Sequence, residues 1–114
     1  MNQDQARQRL EEYRVLIDDV DRRIVALLNE RTGVVENIGR VKREAQLPIY
    51  EPKREDQVFA NISSANHGPL TDSAVRRIFE RIIDEMRTIQ RLRMVNEPSG
   101  VGLPACPPEK GDPQ

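Results

Sequence analysis

The feature that most limits what this chain can fold into is a proline-free run from residue 3 to residue 46 with apolar residues at alternating three- and four-residue steps. Leu10, Tyr13, Ile17, Val20, Ile24 and Leu27 lie on this seam, and Val34, Ile38 and Val41 continue it. Such heptad spacing predicts one long amphipathic helix over roughly 3–46. Gly33 and Gly39 are the only glycines within it. A helix of that length measures about 65 Å at ~1.5 Å per residue. The remainder of a 114-residue chain cannot cover it, so the seam asks for a second copy of the chain, most simply a twofold-related one.

Pro48 ends this helix, because proline lacks a backbone donor and disfavours helical geometry in the residue before it. Leu47-Pro48-Ile49-Tyr50 is then an extended connector. Glu51-Pro52 looks like a helix start with proline at the first helical position. Val58, Phe59 and Ile62 give this second helix its apolar face, and it stops near Asn66, before His67-Gly68-Pro69. Thr71 or Asp72 can cap a third helix. Its stripe is Val75, Ile78, Phe79, Ile82, Ile83, Met86 and Ile89, and it runs to about Val95. The stretch 96–114 holds five prolines and three glycines and predicts a disordered tail. The expected organisation is all-α, a three-helix domain over 1–95 followed by the tail over 96–114, with no internal repeat and no convincing strand.

Composition narrows the function classes. The chain is 37% hydrophobic and 32% charged, with no tryptophan, which suits helices with one apolar face each better than a thick core. Net charge is −1 with the two signs well mixed, so there is no basic footprint for nucleic acid. No apolar run approaches the ~18 residues of a membrane span. The polar start, MNQDQARQRLEEYR, is unlike a secretory signal. Cys106 is the single cysteine, so no intramolecular disulfide forms. A cytoplasmic location is the simplest expectation.

Several charged residues do not fit a plain helical bundle. Arg31 falls between Leu27 and Val34, where the seam should be apolar. A guanidinium there must meet a charge or reach water. A register-setting ion pair satisfies that requirement, and so does a bound anion. Lys42 lies eleven residues further on, close to three turns, and shares the face of Arg31 at ~100° per residue. Two cations on a partly buried face suit an anion, although lysine near a helix C-terminus also complements the helix dipole. Arg14 stands seventeen residues before Arg31, about 25 Å along the axis at ~1.5 Å per residue. It is either a surface arginine or a contribution from an antiparallel partner helix to a site in the other chain. Glu51, Arg54 and Glu55 cluster at the start of the second helix, where Glu51 can be a cap and Glu55 favourable in the first turn. Gln90 continues the spacing of Phe79, Ile83 and Met86 on the third helix. A buried glutamine must be hydrogen-bonded, either between helices or to a ligand.

What is missing is also informative. There is no Ser-His-Asp or Cys-His set, no metal-ligand spacing, no phosphate loop and no dinucleotide fingerprint. His67, the one histidine, sits in a Gly-Pro turn. No cofactor and no metal are expected. Arginines, a lysine, a glutamine and carboxylates are suited to holding and polarising an anionic small molecule.

The ordered set Arg14, Asp21, Glu30-Arg31, Ile38-Gly39 with Lys42, Pro48, Arg54-Glu55 and the helix RRIFERIIDEMRTIQ ending at Gln90 resembles the all-helical, type II class of chorismate mutases, over about residues 8–92. The resemblance implies a three-helix protomer interlocked as a homodimer, in which each of two sites takes one arginine from the other chain. It implies the Claisen rearrangement of chorismate to prephenate in phenylalanine and tyrosine biosynthesis, a pericyclic reaction needing no nucleophile, metal or cofactor. Carried over by position, Arg14 of the partner chain and Arg31 bind the substrate carboxylates, and Arg54 supports that electrostatic setting. Lys42 and Gln90 donate to the ether oxygen. Glu55 holds the ring hydroxyl, helped by backbone near Glu51. Met86 stands where some members have a carboxylate-binding serine, and Glu51 where some have aspartate. An isochorismate-pyruvate lyase of the same fold and a non-catalytic helical regulatory dimer are the competing readings. An activating partner enzyme of the same pathway stays open, with the tail as its docking segment or as nothing.

Overall fold

The computed structural model describes residues 1–96, with side chains through Arg93. It contains three helices in chain order: α1, Gln3–Ala45; α2, Pro52–Ala65; and α3, Asp72–Asn96. No strand occurs among the described residues. The tail expected over 96–114 lies, beyond Asn96, outside them. The chain divides into two compact units, Met1–Gly33 and one beginning at Val34.

Each helix end has a local cause. α1 stops before Pro48 acts on it. Gln46 turns to a left-handed φ of 59°, its N–H donates to the Arg43 carbonyl at 3.2 Å, and the Leu47 N–H donates to the Lys42 carbonyl at 2.7 Å. These two bonds form the Schellman close usually made with glycine, and here glutamine bears the backbone strain. Pro52 occupies the first turn of α2, where a missing N–H costs nothing. Glu51 sits at the N-cap with no side-chain capping bond, so the capping role open to it in the sequence is not the one it takes. At α3, Thr71 rather than Asp72 is the cap: Thr71 Oγ1 accepts from the Ala74 N–H at 3.1 Å. Asp72 is engaged elsewhere, accepting from Asn66 Nδ2 at 2.7 Å and from Ser63 Oγ at 3.2 Å. Those bonds, with Asn66 Nδ2 to the Leu70 carbonyl at 2.9 Å, lock the α2–α3 turn.

In the unit from Val34 on, α2 packs against α3. Val58, Phe59 and Ile62 are half-buried, and the Arg76 guanidinium lies 4.1 Å from the centroid of the Phe59 ring. Ile83 and Met86 form its buried apolar centre. Ile78, placed in the α3 stripe by its spacing, is instead half exposed. It stands one residue before half-buried Phe79, and a helical step of ~100° turns it away from the covered face.

The seam of α1 requires a larger correction. In this unit Val34, Ile38 and Val41 are exposed, and the covered residues are Val35, Glu36, Gly39, Arg40, Lys42 and Arg43. α3 meets α1 at Gly39 through Gln90: a Cβ built on Gly39 would lie in ordinary contact, 3.5 Å from Gln90 Cγ. In the unit Met1–Gly33 the seam is likewise uncovered, with Tyr13, Ile17 and Leu27 all more than half exposed.

Candidate active site

Two polar side chains are buried in the unit that starts at Val34, and both are candidates named from the sequence. Lys42 is 9% exposed and Gln90 7% exposed. Lys42 stands one turn beyond Gly39 on α1, and Gln90 packs over Gly39 from α3, so the two share one face of α1. Burying an ammonium and an amide is costly unless both are satisfied. The chain satisfies both with local partners.

Lys42 is reached by the connector. After the left-handed Gln46 the chain doubles back, and Lys42 Nζ donates to the Ile49 carbonyl at 2.9 Å. It also pairs with Glu51 Oε1 at 2.8 Å. The absent helix cap is thereby explained, because the Glu51 side chain points to Lys42. Glu51 is itself half exposed, so the pair holds the ammonium in place more than it stabilises the fold. An ammonium has three donors, and two are accounted for here.

Gln90 Nε2 donates to the Val35 carbonyl at 3.2 Å. This is the interhelical bond that a buried glutamine required. The amide group has two N–H donors, so this bond leaves the chemistry of a second intact. One turn on, Arg93 pairs with Glu36 at 2.8 Å and fastens α3 to the same stretch of α1. Met86 is 7% exposed and lies one turn before Gln90, contributing a thioether rather than a donor.

Glu55 has a partner that sequence spacing does not reveal. Arg87 Nη1 donates to Glu55 Oε2 at 2.7 Å, and both side chains are about a quarter exposed. Arg87 Nη2 donates to Asp84 Oδ1 at 2.6 Å, and the guanidinium lies 5.5 Å from the centroid of the Tyr50 ring. The Asp84 hydrogen bond raises the Arg87 pKa above its ordinary value; desolvation opposes the shift, and the charges of Glu55 and Asp84 reinforce it. Arg87 therefore stays a cation throughout the usable pH range. The Asp84–Arg87 pair has a readable i,i+3 spacing. The Glu55 contact spans two helices and is visible only in the fold.

The remaining candidates are placed differently. Arg54 is exposed and donates along α2 to Gln57 Oε1 at 3.3 Å, so it is not part of the buried polar pair. In the unit Met1–Gly33, Arg31 is half-buried. Arg14 is exposed, 3.8 Å from Glu11. Chemically, Lys42 and Gln90 present donors from partly desolvated positions, where they can stabilise developing negative charge. Glu55 presents an acceptor fixed by a cation. No group of three or more potential metal ligands occurs among the described residues, and no described helix is long and apolar enough to cross a membrane.

Comparison with known proteins decides the family. The model of the type II chorismate mutases matches residues 13–91. The chain belongs to the type II chorismate mutase family. Members of this family are isomerases that convert chorismate to prephenate. The match begins just before Arg14 and ends just after Gln90, so every candidate residue lies inside it. Among solved structures, a chorismate mutase (form II) from Thermus thermophilus superposes with a TM-score of 0.71 at 36% identity, covering 73% of this chain and 94% of that one. A bifunctional chorismate mutase/prephenate dehydratase from Neisseria gonorrhoeae is 37% identical over 79 residues, 69% of this chain. This chain spans 21% of the length of that relative. A chorismate mutase from Methanocaldococcus jannaschii is 26% identical over 85 residues, and there the match covers 86% of the relative. The all-helical, three-helix fold and the family expected from the sequence both hold.

Proposed function

We propose that this chain converts chorismate to prephenate in a site completed by a second copy of itself. The observation that carries the proposal is the buried donor pair, Gln90 packed over Gly39 and Lys42 one turn beyond it, in a chain of this family. Their donors would meet the ether oxygen as the carbon–oxygen bond breaks and negative charge gathers there. Losing one such donor typically costs about 10²–10³ in rate. Glu55, held by Arg87, would accept from the ring hydroxyl, beside the backbone at Glu51. Arg31 and the partner chain's Arg14 would hold the two carboxylates in the compact reactive shape, the orientation part of the catalysis. Arg54 would add positive potential from the surface. The Met86 thioether has no donor for a carboxylate, so the carboxylates would rely on the arginines.

The dimer has its own support. The exposed seam of α1, with Tyr13, Ile17, Ile24 and Leu27 uncovered, is an apolar face of the kind that a second copy buries. Fusion to prephenate dehydratase in the Neisseria relative agrees with prephenate as the product. A cytoplasmic location and an activating enzyme of the same pathway go with this reading. The test is incubation of the purified protein with chorismate and, separately, with isochorismate. Prephenate from chorismate is the expected result. Pyruvate from isochorismate without prephenate from chorismate would make the chain a lyase of the same fold.

A further inference from the structure

We infer that Arg87 is a positioning residue for the rearrangement, acting through Glu55. The inference rests on the mutase reading of Glu55 given above and adds a residue which that reading does not contain. Three contacts carry it. Arg87 Nη1 lies 2.7 Å from Glu55 Oε2. On its other side Nη2 is held by Asp84 at 2.6 Å. The Tyr50 ring stands 5.5 Å from the guanidinium carbon. A guanidinium is a planar fork whose donors have fixed directions. With one arm clamped by Asp84 on its own helix, the other arm sets where the Glu55 carboxylate can stand.

The site needs this because of how Glu55 is presented. A glutamate on the first turn of α2 has three rotatable bonds and no helical neighbour that fixes its carboxylate. Arg87 occupies one oxygen, Oε2, and so leaves Oε1 as the acceptor for a hydroxyl. It also balances the Glu55 charge next to a substrate that is itself a dianion. Without Arg87, an ionised Glu55 would repel that substrate and swing between rotamers. The same guanidinium ties α2 to α3, so a purely structural tie is the alternative to be separated.

The experiment is steady-state kinetics of prephenate formation for wild type, Arg87→Met, Arg87→Lys, Glu55→Gln and Arg87→Met/Glu55→Gln, each first checked for helicity and dimer mass. Methionine keeps the aliphatic stem near Tyr50 and removes the fork. Misplacement of this kind costs up to about 10²-fold, and we expect kcat/KM to fall about 10- to 100-fold in Arg87→Met, with kcat falling as well as KM rising. Arg87→Lys should recover part of the loss. In the Glu55→Gln background, Arg87→Met should lower kcat/KM by clearly less than in wild type, because the carboxylate charge that the guanidinium balances is gone. Wild-type kcat/KM in a folded Arg87→Met protein would overturn the inference. So would an equal loss in both backgrounds, or a lysine variant no better than methionine. If wild type forms no prephenate, the mutase reading fails and the inference fails with it. If wild type is active and Glu55→Gln matches it, the role of Glu55 fails, and the inference with it, while the activity stands.

Discussion

The two units of this small protein treat their apolar and polar residues in opposite ways. In Met1–Gly33, Tyr13, Ile17, Ile24 and Leu27 are exposed although their spacing is that of a buried seam. In the unit from Val34 on, the most covered positions include Lys42 and Gln90, which are polar. Exposed apolar surface and buried polar groups are both unfavourable in an isolated protein. The first unit leaves its seam uncovered, and the second satisfies its buried donors with local partners, Ile49 and Glu51 for Lys42 and Val35 for Gln90. The proposed catalytic dimer would account for both, with the cover bringing Arg14 and a ligand meeting the remaining donors of Lys42 and Gln90.

The strongest way to break this contrast is to charge the seam. Ile17→Asp together with Ile24→Asp would place two carboxylates where an apolar partner face is proposed, at a cost of several kcal/mol each if they stay buried. Light scattering should report a monomer, and prephenate formation should fall to background because the partner's Arg14 is withheld. A dimer of unchanged activity would mean that the seam is not the interface. The next largest effect belongs to the other unit. Lys42→Met preserves the aliphatic stem and removes the ammonium, and kcat/KM should drop about 10²–10³-fold. The fold should persist, since Glu51 is half exposed and can return to water. Less than a fivefold loss, roughly 1 kcal/mol, would take Lys42 out of the transition state.

Gln90 sharpens the comparison through pH. Its amide donates at any pH, so wild-type activity should persist through neutrality. A carboxyl in that 7%-exposed position donates only when protonated, and burial raises its pKa. Gln90→Glu should therefore be most active at about pH 5 and much less active at about pH 8. Equal activity at both would show that this side chain gives no proton-bearing contact to the substrate. The smallest effect is in the connector. Gln46→Gly relieves a left-handed residue and should stabilise the protein by about 0.5–1 kcal/mol at fixed protein concentration, read by thermal unfolding.

Much of the fold was legible because its signals are local. Both ends of α2 and the start of α3 follow from Pro52, Asn66 and Thr71, all short-range devices. The end of α1 was placed one residue late because proline at 48 hides a Schellman close at Gln46. Which face of α1 is covered was not legible. Periodicity marks the apolar seam, but within one chain the helix is met at Gly39, by the Gln90 side chain. The candidate site divides along the same line. Lys42 and Gln90 could be found because a polar residue at a covered position has few purposes. The pairing of Glu51 with Lys42 and of Glu55 with Arg87 could not, because each joins residues through the path of the connector or across two helices. Family resemblance located Glu55 but not its partner.

The most direct test of the account is the rate of prephenate formation from chorismate by the purified protein and by Arg31→Ala. Arg31 is the one break in the seam, and it is half-buried in a unit whose seam residues, from Leu10 to Leu27, are exposed. If it grips a substrate carboxylate, wild type forms prephenate and Arg31→Ala loses at least about 10²-fold in kcat/KM while remaining a folded dimer. Undiminished turnover in Arg31→Ala, or no prephenate from wild type, would contradict the account.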